Sequence, residues 1–236
     1  MNPALRHTGP AVALVGSPDR IAAVQRRLPQ LEAAFTGPTP PPRADLDQYR
    51  LVLDLTLDEH PERIAEYARY PELILWGCAV KRSLAEMAFP WRNEIRVSLL
   101  GLNALPTFLE RSCWESSVYR ESDRPALAAA AALLGVETEA VWDEPGMVTP
   151  RVLFLIINEA CLMLDEGAAS AAAIETAMRL GLNYPQGPLA WADQIGPAHI
   201  CEVMDRLRAL TGDARWAVAP RLRRAMLTGS PLAPGT

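Results

Sequence analysis

Histidine is nearly missing from this sequence: His7, His60 and His199 stand far apart in 236 residues. A mechanism that needs an imidazole to carry a proton has only these three to draw on. Cysteine is scarce too. Cys78, Cys113, Cys161 and Cys201 share no C-x-x-C spacing, so the expectation is buried free thiols in a reducing cytoplasm. No His/Cys/Asp cluster has the spacing of metal ligands. Positive charge is short as well. With 23 Lys and Arg against 28 Asp and Glu the net charge is -5, and no Lys/Arg-rich run is present, which argues against a nucleic-acid partner. Arg, Asp or Glu interrupts every apolar run before it reaches the length of a membrane span. Met1–Pro10 lacks the apolar stretch and cleavage site of a secretory signal.

What is there is a chain with 50% hydrophobic residues, enough for a substantial core. Trp76, Trp91, Trp114, Trp142, Trp191 and Trp216 are scattered rather than striped, as expected of core and interface anchors. The first part alternates strand and helix. Ala11–Val15 reads as a short strand, followed by Gly16 and a helix that Ser17 and Pro18 open and that runs to about Phe35. Gly37–Pro42 (GPTPPP) reads as a stiff loop without strand character. Leu51–Leu57 reads as a buried strand with Asp54 and Thr56 near its carboxyl end, then a helix from about Pro61 to Tyr70. Leu73–Trp76 and Ile95–Leu100 read as further strands, with a helix through Met87 between them. This alternation predicts a parallel α/β sheet, smaller than a full Rossmann domain.

From Gly146 the pattern becomes helical. Met147–Asp165 is apolar on all sides except at Asn158-Glu159, which predicts a helix buried by several neighbours. Gly167 fits its left-handed C′ position. Ser170 caps a second helix with Ile174, Ala177, Met178 and Gly181 on its inner side. The Tyr184–Pro188 turn leads to a third helix carrying Trp191. Pro197–Arg224 holds two further amphipathic helices, and Ser230–Thr236 reads as a fraying tail.

A strand, a glycine and a helix also open a dinucleotide-binding unit, but that site needs G-x-G-x-x-G for the turn, the pyrophosphate and helix packing. Gly16-Ser17-Pro18-Asp19-Arg20-Ile21 supplies one glycine. Pro18 lacks an amide donor and Asp19 would repel phosphate. As a cofactor loop it fails. Cys78, at a strand end, has no histidine placed in sequence to activate it, so burial is the simpler expectation.

Residues 145–227 resemble the helical C-terminal domain of the 3-hydroxyacyl-CoA dehydrogenase family. The match runs through Asn158-Glu159-Ala160, Glu166-Gly167, Ala169-Ser170, Ile174, Ala177-Met178, Gly181, Pro185, Gly187-Pro188 and Asp193. Asn183-Tyr184-Pro185 with Trp191 looks most like the second module of two-module bacterial members. The resemblance implies two domains, a shortened Rossmann-like domain over 1–144 and a helical dimerisation domain over 145–236. It also implies an NAD-dependent ancestry in acyl-CoA and fatty-acid metabolism. Under it, Asp58 falls where an acidic residue contacts the cofactor and Arg63 where a basic one reaches the cofactor or CoA phosphates. In the family the second strand carries the acid that holds the adenine ribose, and the proline-rich stretch marks that region as cut down.

The catalytic positions depart from the family. Its histidine base falls on Leu100, in a stretch running to Asn103-Ala104-Leu105-Pro106. Its orienting glutamate falls on Ser112, with Glu110 two residues away, and its substrate-binding serine and asparagine fall on Ala79 and Pro150. The expectation is a family member without hydride-transfer catalysis and without a bound cofactor. It would act in the cytoplasm as a structural subunit, forming a homodimer through the helical domain or partnering a catalytic relative, or as a subunit that binds an acyl-CoA-like ligand, without nucleic acid or membrane. The rival is an active NAD-dependent enzyme with relocated groups among Asp54, Thr56, Asn103 and Glu110. Family ancestry alone does not choose between them.

Overall fold

The structure, a computed structural model, describes residues 11–233. His7, the Met1–Pro10 stretch and the end of the tail lie outside the described residues. Two compact units divide the chain, Met1–Glu144 and Pro145–Thr236.

The first unit is a seven-stranded sheet flanked by helices. Its strands are β1 (Ala11–Val15), β2 (Phe35–Gly37), β3 (Tyr49–Asp54), β4 (Ile74–Cys78), β5 (Ser98–Leu102), β6 (Cys113–Val118) and β7 (Glu137–Ala140). They lie in the order β2-β1-β3-β4-β5-β6-β7. All neighbours are parallel except β5 and β6. The central strands carry near-continuous apolar runs because helices cover both faces of a parallel sheet. Val12–Val15, Leu51–Leu53 and Ile74–Cys78 are all buried. Trp76 and Trp114 pack edge to face with ring centroids 5.6 Å apart. Their indole N–H groups donate to the carbonyls of Gly101 and Leu109 at 3.0 and 3.1 Å.

Several expectations change. Helix α1 (Pro18–Arg27) stops well before Phe35, because Leu28 precedes Pro29 and adopts φ −125°, ψ 66°. The second strand is not lost: β2 survives as three residues parallel to β1 ahead of the proline-rich stretch. The strand expected to reach Leu57 ends at Asp54, whose carboxylate accepts the Thr56 amide at 3.2 Å and turns the chain. The helix expected over 61–70 is a single α-turn, α2 (Ile64–Tyr67), behind a 3-10 turn. Helix α3 (Leu84–Ala88) is equally short. Strand β6, helix α4 (Arg124–Leu134) and β7 were not foreseen from the sequence, and β6 makes the sheet mixed rather than parallel.

The second unit holds α5 (Thr149–Asp165), α6 (Ala171–Gly181), α7 (Pro188–Ile195), α8 (Pro197–Thr211) and α9 (Pro220–Thr228). The expected punctuation is present. Gly167 has φ +69°, and the Ser170 hydroxyl accepts the Ala173 amide at 3.2 Å. Asn158 is buried in α5, where it donates to the Ala217 carbonyl at 3.0 Å and accepts the Ala219 amide at 2.8 Å. It thereby ties α5 to the entry of α9. Glu175 accepts the Leu189 amide at 2.8 Å and caps α7. Helix α5 is not buried all round: Val152 is 58% exposed, and Leu155, Ile156 and Met163 are half-buried. On α6, Ile174 is buried but Ala177 and Gly181 are exposed.

Candidate functional site

In an open α/β sheet, ligands bind beyond the carboxyl ends of the strands where the strand order reverses. That point lies between β1 and β3, with β4 beside it. Three groups of side chains converge there.

The first is built on Gly16, which follows β1 with φ +152°. A Cβ added to it would meet Leu55 Cβ at 3.0 Å, so the close backbone approach that glycine permits is made to Leu55. Leu55 is fully buried, and its amide donates to the Val15 carbonyl at 2.8 Å. The guanidinium of Arg20, one turn into α1, reaches over the same point. It donates to the Leu55 carbonyl and, at 2.7 Å, to Glu59 Oε1. Lys81 Nζ meets the same Glu59 oxygen at 3.2 Å. Arg20 and Lys81 are both buried.

The second group surrounds Asp54 at the end of β3. Its carboxylate accepts from Arg63 Nη1 at 3.2 and 3.4 Å and from the Tyr67 hydroxyl at 3.4 Å. Arg63 also donates to Thr56 Oγ1 at 3.0 Å and to the Pro38 carbonyl at 3.0 Å. Burial pushes the Asp54 carboxyl up to about 6, against the opposing pull of Arg63 and the Thr56 amide.

The third group lies at β4. A Cβ on Gly77 would sit 2.2 Å from Leu57 Cδ2 and 2.8 Å from Leu57 Cβ, so Leu57 fills the space over that strand. Asp58 is buried, and its Oδ2 accepts the amides of Val80 and Lys81 at 3.0 and 2.8 Å and the Cys78 thiol at 3.3 Å. Its other oxygen, Oδ1, is buried without a donor among the described residues. Burial and the neighbouring Asp58 carboxylate push the Cys78 thiol well up, the opposite of an activated nucleophile.

Asp58 and Arg63, which the resemblance assigns to a cofactor or to CoA phosphates, both turn inward onto the chain itself. The sequence gives no local signal for Arg20, Glu59 or Lys81, because their partners lie more than 20 residues away. The residues at this edge do not fit a dinucleotide. Leu55 and Arg20 occupy the pyrophosphate approach, Leu57 covers the end of β4, and Asp58 and Arg63 bond to the chain itself. Among the described residues no group of three or more His, Cys, Asp or Glu could hold a metal ion.

The second unit decides the ancestry. Residues 146–231 match the family described as 3-hydroxyacyl-CoA dehydrogenase, C-terminal domain. The C-terminal unit belongs to the 3-hydroxyacyl-CoA dehydrogenase family. It is similar to 3-hydroxyadipyl-CoA dehydrogenase of Escherichia coli (strain K12), 44% identical over 88 residues, covering 37% of this chain and 18% of that one. It is also similar to a Bacillus subtilis (strain 168) protein named "Probable 3-hydroxybutyryl-CoA dehydrogenase", 41% identical over 96 residues, 41% of this chain and 33% of the other. The chain thus spans a third or less of the length of these curated relatives. Among solved structures, (S)-3-hydroxybutyryl-CoA dehydrogenase PaaH1 from Ralstonia eutropha shares the fold, with a TM-score of 0.70 at 22% identity over 93% of this chain and 94% of that chain. M. tuberculosis FadB2 does so at 0.74 and 20%, over 94% of each chain. The fold is a Rossmann-like sheet domain followed by a helical C-terminal domain.

The positions that the resemblance aligns with the family's catalytic residues lie as follows. Leu100, which the resemblance sets against the histidine, is fully buried in β5, paired with Trp76 and Val118. Ala79 is buried and donates its amide to the Leu102 carbonyl at 3.1 Å. Pro150 opens α5. Glu110 is a surface residue, ion-paired to Arg26 at 2.7 Å. His60 is also exposed, 3.5 Å from Glu62. Of the rival set, only Asp54 and Thr56 come together. Asn103 instead donates to Glu115 at 3.1 Å. Three of the four thiols are buried as expected, but Cys113 is exposed on the edge-proximal strand β6. Trp142 is 89% exposed, unlike the core tryptophans Trp76 and Trp114.

Proposed function

We propose that this chain is a member of the 3-hydroxyacyl-CoA dehydrogenase family that does not transfer hydride and serves acyl-CoA metabolism as a dimeric structural subunit. The observation that carries this reading is Leu100. A proton acceptor must reach the substrate hydroxyl, and this position holds a hydrocarbon sealed inside a strand. Ala79 and Pro150 likewise offer no side-chain hydrogen bond to a substrate oxygen. Steady-state assay of NADH formation from a chain-length series of 3-hydroxyacyl-CoA thioesters tests it. No turnover is expected. Turnover abolished by Glu110→Ala would establish the rival enzyme instead.

Dimerisation is supported by the uncovered side of α5. Leu155, Ile156, Glu159, Ala160 and Met163, with Ile174 and Met178 of α6, line a groove of about 330 Å³. An apolar helix face open to water is best satisfied by a second copy about a two-fold axis. A catalytic relative is the other occupant that the same groove could take. We place the subunit in the cytoplasm, supported by four free thiols, one of them exposed. Among the described residues no helix is long and apolar enough to cross a membrane.

A further inference from the structure

We infer that the dinucleotide crevice of the sheet unit is closed by the chain's own residues, so that this fold carries an internal occupant where its architecture takes a nucleotide. This rests on, and deepens, the proposal that hydride transfer is gone, but it is a separate statement. A site could lose its base and still bind cofactor.

Each part of a nucleotide's path has a resident. The pyrophosphate normally lies against the first glycine turn, on the amides opening the first helix. There Leu55 packs on Gly16, Pro18 removes a donor, and the Arg20 guanidinium is committed to the Leu55 carbonyl and Glu59. The adenosine end normally runs past the second strand. There Arg63 Nη2 holds the Pro38 carbonyl at 3.0 Å, drawing the proline-rich stretch onto the end of β3. Further along the edge, Leu57 packs on Gly77, and Asp58 takes the Val80 and Lys81 amides.

The turn from Leu55 to Glu59 supplies most of these contacts. It closes on itself through Leu57 N–H to Asp54 O at 3.3 Å and Glu59 N–H to Thr56 O at 3.0 Å. Displacing it would strand three buried charges at once, Arg20, Asp58 and Lys81. A buried charge that loses its partner is left uncompensated, which is strongly destabilising. A nucleotide would have to offset that cost before gaining any affinity. The turn is therefore a fixed part of the core rather than a lid.

Hydrogen exchange read by mass spectrometry tests this on the full chain, with NAD, NADH, ADP and CoA each added as probe. The peptides covering 55–59 and 80–81 are expected to be protected as strongly as β3, and unchanged by any of the four. Leu57→Ala should speed exchange over 55–59 at least tenfold, and Arg20→Gln, a milder change should the first fail to fold, should do the same. Free protein that exchanges these peptides like an exposed loop would overturn the inference. So would slowing by a nucleotide. If that slowing came without turnover, the crevice would be open while the absence of hydride transfer stood. If it came with turnover, both would fall.

Discussion

Leu57 and Gly77 are in contact across the end of the sheet so closely that a methyl group on Gly77 would lie 2.2 Å from Leu57 Cδ2. The glycine is needed because a leucine side chain approaches it. Gly77→Ala should therefore destabilise the sheet unit by about 1–3 kcal/mol, the usual cost of overpacking. Gly181→Ala is the contrast. It has an ordinary helical backbone with nothing within 4 Å of the added carbon, and should gain up to about 1 kcal/mol. Urea denaturation of both variants checks the pair of signs.

Asp54 makes stability depend on pH in a definite direction. Its carboxyl is raised from 3.8 to about 6 in the folded chain, mainly by burial. Between those values the folded state binds a proton that the unfolded state has released. The stability it contributes is thus fully present below about pH 4 and lost as pH rises through about 6. The difference in unfolding free energy between wild type and Asp54→Asn should move against the wild type across that window. The size is on the order of 2–3 kcal/mol. A flat difference would show that Asp54 stays ionised in the fold.

Asn158 should matter to the helical unit alone. Asn158→Ala leaves the Ala217 carbonyl and Ala219 amide without their partner and should cost about 1–3 kcal/mol. Hydrogen exchange should quicken in α5 and α9 and stay unchanged in β1, β3 and β4.

The thiols should separate by burial. Cys113 is expected to react with a disulfide reagent in the native protein, slowly, because burial and Glu137, Glu139 and Glu115 push its thiol up. Cys78, Cys161 and Cys201 should react only on unfolding, and burial holds Cys161 up to about 12. Counting modified thiols with and without denaturant decides this.

The α5 face carries the quaternary proposal. Ile156→Arg should turn a dimer into a monomer in sedimentation analysis while leaving α5 helical. A wild-type monomer at micromolar concentration would remove the support for homodimerisation.

Much of this architecture was legible in the sequence because its signals are local. Ala11–Val15 reads as a short apolar strand, and Ser170 and Gly167 as helix punctuation, from neighbouring residues alone. Helix α4 had comparable signals, Pro125 in its first turn, an alanine run, and Gly135 at φ +64°, yet its strands β6 and β7 read as polar. Their pairing is decided by the sheet beside them. At the candidate site the residue types at Asp58 and Arg63 were legible, but not the way they face. Val80 and Asp54 decide that, and those contacts form only when β3 and β4 align. At Leu100, which the resemblance sets against the family's histidine, the proposal of lost hydride transfer needs no structure, because a leucine cannot accept a proton in any setting.

The most direct measurement is a single turnover, with protein, NAD and (S)-3-hydroxybutyryl-CoA mixed at comparable concentrations and NADH followed by absorbance. A scaffold without its base and with a filled crevice should give no NADH above the protein-free rate. One equivalent of NADH per chain, formed faster than that rate, would contradict the account.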